Sequence, residues 1–234
     1  MCGRYSLTTE QEALAIALGV EGLVHPEPRY NIAPTQRAPI LRAEGDSLHA
    51  EVRRWGLIPS WSDGGATGAP LINARSESAH RKPSFREPFR RGRCLVPADG
   101  FFEWVAREGG KTPYWIHRRD REPFTFAGLL DEWRSPEGDV VESFTILTTE
   151  ADEPLHAIHH RMPVVVDAAR RFDWLDPEAP VDDLRALLAE ARSGDPEVTR
   201  VSTRVNSPAH DDPSCITPAE GADPTGTVEQ TTLF

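Results

Sequence analysis

A cysteine directly follows the first methionine, in the opening stretch MCGRY. Removal of Met1 would leave Cys2 with a free α-amine and a thiol on adjacent carbons, so one residue would carry two nucleophiles. Their ordinary pKa values, about 7.7 to 8.0 for the amine and about 8.5 for the thiol, leave a usable unprotonated fraction of each near neutral pH. With an aldehyde, the amine would give an imine that the thiol closes to a thiazolidine ring. With an amide, the thiolate would attack directly, as in N-terminal nucleophile hydrolases.

Either chemistry needs groups that move protons and hold a developing oxygen. Glu103 lies in the apolar stretch GFFEW, where burial would raise the pKa of its carboxyl toward a value suited to proton transfer. Strand alternation alone would instead point Glu103 to solvent. Asn73 and Arg75 follow a strand in LINARSES, where one could orient a polar group and the other could bind a phosphate.

The segment AIHHRMP places two imidazoles beside a guanidinium, as His159, His160 and Arg161. Imidazole titrates near neutral pH and guanidinium binds phosphate, although a plain surface histidine pair is the alternative. Trp55 and Trp61 lie near proline-containing turns and could stack on unpaired bases, while tryptophan is more often part of a core.

The charge of the chain is unevenly distributed. The formal net charge of the 234 residues is −11, which argues against broad nucleic-acid binding. Residues 75–93 nevertheless form a local basic segment with Arg75, Arg81, Lys82, Arg86, Arg90, Arg91 and Arg93. Charge alone leaves open whether this segment is a binding surface or a solvated face.

The three cysteines are Cys2, Cys94 and Cys215, which are far apart and without C-x-x-C spacing. They predict reduced thiols, with neither a disulfide framework nor a metal site. Apolar runs fall short of membrane-spanning length, and no signal-peptide pattern follows Arg4. The composition therefore predicts a cytoplasmic protein without a membrane association.

The sequence pattern also predicts the helices and strands that must position these residues. Their order indicates one α+β domain that is rich in antiparallel strands. A helix is expected through ALAIAL, capped by Thr8 or Thr9 and ended by Gly19. Paired strands are expected over residues 37–43 and 48–57, and on both sides of the turns REGGK and SPEGD. Further helices are expected near residues 152–158, 167–173 and 181–192, followed by a strand around VTRVS. From about Asn206 the composition predicts a mobile tail.

Separated motifs along the chain share their order with one known family. They are MCGRY, RYNIAPTQ, RWGLIPSW, LINARSES, RCLVPADGFFEW, PYWIH, FAGLLDEW, FTILTTEA, IHHRMPVVV and VSTRVNSP. On these motifs the chain resembles the SRAP family, the SOS-response-associated peptidases or abasic site processing proteins. The resemblance implies a catalytic domain over residues 1–206 with a β-barrel-like core and surrounding short helices. The composition of residues 207–234 predicts an acidic, flexible tail after this domain.

The resemblance also implies a function in DNA repair. In that family the mature N-terminal cysteine reacts with the ring-opened aldehyde of an abasic site in single-stranded DNA and forms a thiazolidine crosslink. Cys2 would be the nucleophile, and Asn73 would position the sugar and the N-terminus. Glu103 would transfer protons near the amine, and His159 would protonate or stabilise the opened sugar. AP-lyase activity, self-release and a peptidase activity limited to self-processing of Met1 would accompany the crosslink, without a cofactor or a metal.

The predicted DNA contacts are Arg4, Arg75 and Arg161 for the phosphate backbone, with Trp61 and Arg81 as further DNA-binding residues. The negative net charge predicts binding that is local and directed to the lesion, since affinity depends on phosphate neutralisation. His210 stands where relatives tend to have asparagine, which puts only a peripheral structural role in doubt.

The far end of the sequence, VEQTTLF, resembles a shortened sliding-clamp-interaction motif. Gln230 would be its polar anchor, and Leu233 and Phe234 its apolar plugs, while a featureless tail is the alternative. The sequence predicts a monomer in the cytoplasm, associated with the nucleoid when bound to damaged DNA.

Two other functions compete with this prediction. Glutamine amidotransferases with an N-terminal cysteine also begin Met-Cys-Gly, but they continue with isoleucine and carry an N-G-E type segment, neither of which occurs here. A non-covalent single-stranded DNA-binding module, in which Cys2 is incidental, is the second alternative.

Overall fold

The computed structural model of the protein describes residues 2–21, 27–63, 69–107 and 110–219. The strands of the described residues are β1 (Tyr5–Leu7), β2 (Val20–Glu21), β3 (Arg29–Ile32), β4 (Arg37–Glu44), β5 (Ser47–Trp55), β6 (Asn73–Arg75), β7 (Arg93–Ala98), β8 (Gly100–Arg107), β9 (Gly110–Arg118), β10 (Phe124–Arg134), β11 (Val140–Glu150), β12 (Arg161–Pro163), β13 (Val165–Val166) and β14 (Pro196–Arg200). The α-helices are α1 (Gln11–Leu18), α2 (Ser76–Ala79), α3 (Arg86–Arg91), α4 (Arg171–Leu175) and α5 (Val181–Ala189). Short 3₁₀ helices cover Leu155–Ala157, Ala168–Arg170, Thr203–Asn206 and Pro213–Cys215.

The strands form two sheets. One has five strands in the order β14-β9-β8-β1-β3, and the other has nine strands along the path β12-β11-β10-β7-β4-β5-β2, with β6 on β11 and β13 on β10. Neighbouring strands are antiparallel except for the pairs β2–β5, β5–β11 and β6–β11. The predicted α+β class, with a strand-rich, mainly antiparallel barrel-like core and short helices, is therefore confirmed.

The predicted hairpins are also confirmed. Turn residues separate strongly alternating strands in the pairs β4–β5, β8–β9 and β10–β11, which makes their register predictable from local sequence. Helix α1 ends at Gly19, whose φ of 68° is the left-handed conformation that glycine adopts without a steric penalty. The helix expected at 152–158 is only the 3₁₀ turn Leu155–Ala157, while α5 forms as predicted.

The prediction that Thr8 or Thr9 caps α1 is wrong. The residue at the N-cap position is Glu10, and its side chain makes no capping bond. The hydroxyls of Thr8 and Thr9 instead donate to Asp99 Oδ2, over 2.8 and 3.1 Å. Asp99 is buried at the end of β7, so these donors satisfy a carboxylate that would be costly to bury alone.

The main core lies between the two sheets. Tyr5, Trp55 and Phe126 are fully buried there, and the Tyr5 ring meets the other two edge to face, with centroids 5.2 and 6.1 Å apart. Burial of each such ring contributes about 1.5 to 3 kcal/mol, and each aromatic pair about 0.5 to 1.5 kcal/mol more. Because Tyr5 belongs to β1, this packing also fixes the segment that begins with Cys2.

A smaller apolar cluster lies on the other face of the five-stranded sheet, formed by Phe102, Trp115, Val201, Val205 and Cys215. The chain beyond the predicted boundary at residue 206 continues to pack onto the domain as far as residue 219. The carboxylate of Asp211 accepts hydrogen bonds from the backbone N–H groups of Tyr30 and Asn31, over 2.6 and 2.9 Å. These bonds cover β3 at the edge of its sheet. The predicted clamp-binding residues lie outside the described residues.

Candidate active site

Cys2 is buried immediately before strand β1. Its exposed fraction is 0%, and its thiol donates to the carbonyl oxygen of Arg4, with a distance of 3.8 Å between the two heavy atoms. Burial raises the pKa of the Cys2 thiol, and the negative charge of Glu103 raises it further. The thiol is therefore protonated at neutral pH in this arrangement, and forming the thiolate requires a change in its surroundings.

Strand pairing brings Glu103 to Cys2. In the antiparallel ladder between β1 and β8, Tyr5 is opposite Phe101, and the N–H of Phe102 donates to the carbonyl of Arg4 over 2.9 Å. The residues before β1 therefore run alongside those that follow Phe102. Alternation places Glu103 on the same face of β8 as Phe101, toward the main core, while Phe102 faces the smaller cluster.

Glu103 is only 5% exposed, so alternation does not point it to solvent. Both faces of β8 are covered at this position, which simple strand alternation does not anticipate. Burial raises the pKa of the Glu103 carboxyl above its ordinary value, against the effect of positive groups that include His160. A carboxyl group with a raised pKa in a buried site is suited to exchange a proton near neutral pH.

Asn73 ties the second sheet to Cys2. It begins β6, which runs parallel to β11 with Asn73 next to Ile146. The Asn73 Nδ2 donates to the carbonyl oxygen of Cys2 over 2.8 Å. Its Oδ1 atom is buried and has no hydrogen-bond partner among the described residues. The amide therefore holds the Cys2 backbone with one end and keeps an acceptor in the same place with the other.

His159 lies in the turn that leads into β12. Its Nδ1 accepts a hydrogen bond from the backbone N–H of Arg161 over 2.9 Å, which in the neutral ring places the proton on Nε2. Nδ1 also lies 3.1 Å from the carbonyl oxygen of Arg161. Burial lowers the pKa of His159, and the positive charge of Arg161 lowers it further. Near neutral pH, His159 is thus a neutral imidazole with a donor at Nε2.

The four predicted catalytic residues come from separate parts of the chain. A hydrogen bond joins Asn73 to Cys2, and the charge of Glu103 acts on the Cys2 thiol. His159 stacks on His160, whose charge in turn acts on Glu103. The structure therefore brings a thiol, a carboxyl, an amide and an imidazole pair into one site.

The predicted DNA contacts divide into exposed and engaged side chains. Arg75, Arg81 and Trp61 are exposed. The Trp61 side chain is 61% exposed, and its Nε1–H donates a hydrogen bond of 3.4 Å to the carbonyl oxygen of Pro83. Trp55, the other candidate for base stacking, is fully buried in the main core, so it cannot reach a base. Arg93 of the basic segment is also buried, where it donates to backbone carbonyls such as that of Phe89.

Arg4 is engaged with the chain beyond β14. Its guanidinium donates to Asn31 Oδ1 and to the carbonyl of Val205, both over 2.8 Å, and lies 5.8 Å from the centre of the Trp104 ring. The Asn31 amide in turn donates to the carbonyl of His210 over 2.7 Å. Asn31 is an organising residue that the sequence did not reveal, because its partners lie far along the chain.

Arg161 is engaged with Glu77, another residue that the sequence analysis missed. Two parallel hydrogen bonds of 2.7 and 3.0 Å join its guanidinium to the Glu77 carboxylate, and a third reaches the carbonyl of Thr148. The Arg161 side chain is 11% exposed, whereas that of Glu77 is 50% exposed. The sequence did offer one indication of this pair, because Glu77 is an acidic residue inside the basic segment, two positions after Arg75.

Neither a metal-binding cluster nor the main cavity coincides with these four residues among the described residues. The described residues contain no group of three or more histidine, cysteine, aspartate or glutamate side chains placed to hold a metal ion. A cavity of about 610 Å³ opens elsewhere, lined by His117, Arg171 and Leu187 among others, and it includes none of the four catalytic candidates.

Comparison with known proteins identifies the family. The family model SRAP, described as SOS response associated peptidase, matches residues 1–208. The chain therefore belongs to the SRAP family, as the motifs predicted.

Curated relatives and a solved structure extend this match. Abasic site processing protein YoqW of Bacillus subtilis (strain 168) is 37% identical over 223 residues, covering 92% of this chain and 99% of that protein. Abasic site processing protein HMCES of Gallus gallus is 34% identical over 226 residues, covering 82% of this chain and 67% of that protein. An X-ray structure of a Bacteroides thetaiotaomicron protein matches with a TM-score of 0.80 at 26% identity, covering 93% of this chain and 100% of that one.

Within the described residues, no helix is both long and apolar enough to cross a bilayer.

Proposed function

We propose that this protein processes abasic sites in single-stranded DNA by forming a covalent thiazolidine crosslink through Cys2. The observation that carries the proposal is the junction at Cys2, whose carbonyl is held by Asn73 while its thiol lies within the field of the buried Glu103 carboxyl. Membership of the SRAP family, whose curated relatives are named abasic site processing proteins, supports the choice of substrate.

The proposed reaction has two bond-forming steps. The α-amine of Cys2 adds to the C1′ aldehyde of the ring-opened sugar, and loss of water gives an imine. The Cys2 thiol then adds to the imine carbon, and its proton passes to the nitrogen, which closes the five-membered ring. Overall, one aldehyde, one amine and one thiol give a thiazolidine and one water, and no oxidant or reductant takes part.

Glu103, Asn73 and His159 would have separate roles in this sequence. Glu103 would take a proton from the ammonium group of Cys2, which frees the amine to attack, and would return a proton to the departing hydroxyl, for which its raised pKa is suited. Asn73 would hold the Cys2 backbone and accept a hydrogen bond from the sugar or the amine at Oδ1. His159 would donate from Nε2 to the 4′-oxygen as the sugar opens.

Removal of Met1 would be the first requirement. While Met1 is attached, the nitrogen of Cys2 belongs to a peptide bond, which is not a nucleophile. We propose that the peptidase activity in the family description is restricted to this self-processing. In the amide-directed form of the chemistry, the Cys2 thiol would attack this bond, and Glu103, whose charge acts on that thiol, would transfer the proton.

The imine would also account for AP-lyase activity. A protonated imine at C1′ acidifies the hydrogens at C2′, and removal of one of them expels the 3′ phosphate by β-elimination. Glu103, whose charge acts on the Cys2 thiol, would be the base for this step. Ring opening followed by hydrolysis of the imine would release the protein from the DNA.

DNA binding is proposed to use the exposed side chains around the site. Arg75 and Arg81 would neutralise phosphates, and Trp61 would stack on an unpaired base. A guanidinium has five N–H donors, so Arg4 and Arg161 retain donors for the DNA backbone beyond those already used. With a net charge of −11, the protein would depend on the lesion for affinity. We further propose that the protein acts as a monomer at the nucleoid. The segment around Gln230, Leu233 and Phe234 would bind a sliding clamp.

The decisive experiment uses single-stranded DNA with one abasic site and a denaturing gel. We expect a heat-stable shifted band that Cys2→Ala abolishes and that Cys94→Ala and Cys215→Ala, both matched cysteine controls, retain. Mass spectrometry of the band should show protein without Met1 plus DNA minus one water. Equal crosslinking of undamaged DNA, or crosslinking by Cys2→Ala, would refute the proposal. DNA affinity without any covalent band would favour the binding-module alternative, and glutamine hydrolysis would favour the amidotransferase.

A further inference from the structure

The site contains a second imidazole that the proposed chemistry does not use. The rings of His159 and His160 are stacked, with centroids 4.4 Å apart and an interplanar angle of 24°. His159 is half-buried, whereas His160 is exposed. The carbonyl of His160 accepts a hydrogen bond from the N–H of Ala151 over 3.1 Å, so the backbone that carries the stack is anchored just after β11.

We propose that His160 is a positioning residue of the active site, which acts on the reaction through His159. Its effect on crosslinking rests on the proposed function, whereas its effect on the His159 ring does not.

The first part of this role is orientation. The Arg161 N–H fixes one edge of the His159 ring at Nδ1, and the His160 ring covers one of its faces. With an edge and a face both fixed, the ring has little freedom to turn. Its Nε2–H is therefore directed before a substrate arrives, which avoids an ordering cost during the reaction.

The second part is control of charge. Two imidazolium rings in contact repel each other, so a proton on one ring disfavours a proton on the other. The proton on His160 is disfavoured first by His159, then by desolvation, and also by the charges of Arg161 and Arg75, which together lower the pKa of His160. A charge on His160 also acts on Glu103, where it lowers the pKa of the carboxyl. Repulsion is reciprocal, so a charged His160 would in turn disfavour a proton on His159.

A neutral His159 suits the proposed intermediate. The imine formed on Cys2 is most reactive when it is protonated and therefore cationic. An imidazolium in the same site would destabilise this cation, whereas a neutral imidazole still donates from Nε2. His160 would thus extend to lower pH the range over which His159 is a donor without a charge.

The experiment follows the titration of His159 by NMR, using the ring Cε1–H signal of the free protein. Wild-type protein is compared with His160→Phe, which keeps a stacked ring without a charge, and with His160→Ala, which removes both. His156→Phe is the matched control, because His156 is an exposed histidine three residues before His159. We expect a broad, two-step His159 titration in the wild type, and a single step with a midpoint at higher pH in both His160 variants.

The pH dependence of crosslinking to abasic single-stranded DNA is the second readout. The pH below which the rate falls should move upward in both His160 variants, and the rate above it should fall in His160→Ala alone. An unchanged His159 titration in the His160 variants, or an equal shift in His156→Phe, would overturn the inference. A wild-type protein that forms no crosslink would instead refute the proposed function, while the titration still tests the histidine pair.

Discussion

The side-chain amide of Asn73 donates a hydrogen bond of 2.8 Å to the backbone carbonyl of Cys2. Asn73 belongs to the nine-stranded sheet through the β6–β11 pair, whereas Cys2 leads into β1 of the five-stranded sheet. One hydrogen bond thus spans the two sheets at the proposed nucleophile. The position of Cys2 relative to Glu103 depends on both sheets.

Substitution Asn73→Ala should loosen this junction. Loss of a single hydrogen bond costs about 1 kcal/mol, equivalent to about a fivefold change in a rate or equilibrium. We expect a crosslinking rate at least about fivefold lower and a free energy of unfolding lower by about 1 kcal/mol. Single-turnover gels and urea titration measure the two effects. Asn73→Asp, which presents an acceptor to the Cys2 carbonyl, should be at least as slow, and a wild-type rate in both variants would contradict the assignment.

Substitution Glu103→Gln should raise the stability of the protein at neutral pH and lower its crosslinking activity. Burial raises the pKa of Glu103, so the folded state binds this proton more tightly than the unfolded chain, where glutamate titrates at about 4.3. The stability due to this group is therefore lost as pH rises through the interval between about 4.3 and the raised pKa. Glutamine carries no charge at any pH. Glu103→Gln should have a higher Tm than wild type at neutral pH, with a difference that shrinks toward pH 4, while its crosslinking is slower.

Thermal scans at several pH values, together with crosslinking rates, test this expectation. Glu178→Gln is the matched control, because Glu178 is exposed and lies in the connection between α4 and α5. A Tm difference of the opposite sign, or an unchanged crosslinking rate, would mean that Glu103 is not the buried proton-transfer group proposed.

Substitution Glu77→Gln should weaken the hold on Arg161. Burial opposes ionisation of Glu77, but hydrogen bonds and charge from Arg161 outweigh it and lower the pKa of the carboxyl. For a lowered pKa, the stabilisation is present above the unfolded value of about 4.3 and is lost as pH falls below it. The variant should have a lower Tm than wild type at pH 7, and this gap should narrow as the solution is acidified. Glu87→Gln, at an exposed pair with a 3.7 Å separation, should show little change at any pH.

Substitution Trp61→Ala should weaken DNA binding without affecting the fold. Stacking of a base on an aromatic ring contributes about 1 to 3 kcal/mol, so affinity for single-stranded DNA should fall about 5- to 150-fold. The side chain is largely exposed, and we expect an unchanged Tm. Fluorescence anisotropy with labelled DNA provides the measurement. Phe172→Ala, at another exposed aromatic ring, should keep full affinity, and an equal loss there would deny Trp61 a specific role.

Local sequence predicted much of the fold. The hairpins β4–β5, β8–β9 and β10–β11 combine alternating strands with short polar turns, so each is specified by neighbouring residues. Local sequence did not predict that Thr8 and Thr9 leave α1 without a side-chain cap. Both hydroxyls donate to Asp99, which is about ninety positions away in the sequence. The packing of Asp211 on β3 escaped for the same reason, although its segment reads as a polar tail.

The candidate site was predicted from motifs more than from hydrophobic periodicity. Periodicity alone left Glu103 open between solvent and core, and only the second covered face of β8 decides its burial. Arg93 and Arg161 looked like members of basic clusters, but backbone carbonyls and Glu77 occupy their guanidinium groups. Such partners come from distant strands, which charge counting along the chain does not register.

The contact between Asp211 and β3 has a consequence for any shortened form of this protein. β3 is the last strand of its sheet, and two of its backbone donors are occupied by the Asp211 carboxylate. A chain cut at residue 208, where the family match ends, would leave those donors bare on an open strand edge. Such a truncated protein should self-associate edge to edge, whereas a fragment that extends to residue 219 keeps Asp211 on β3 and should stay monomeric.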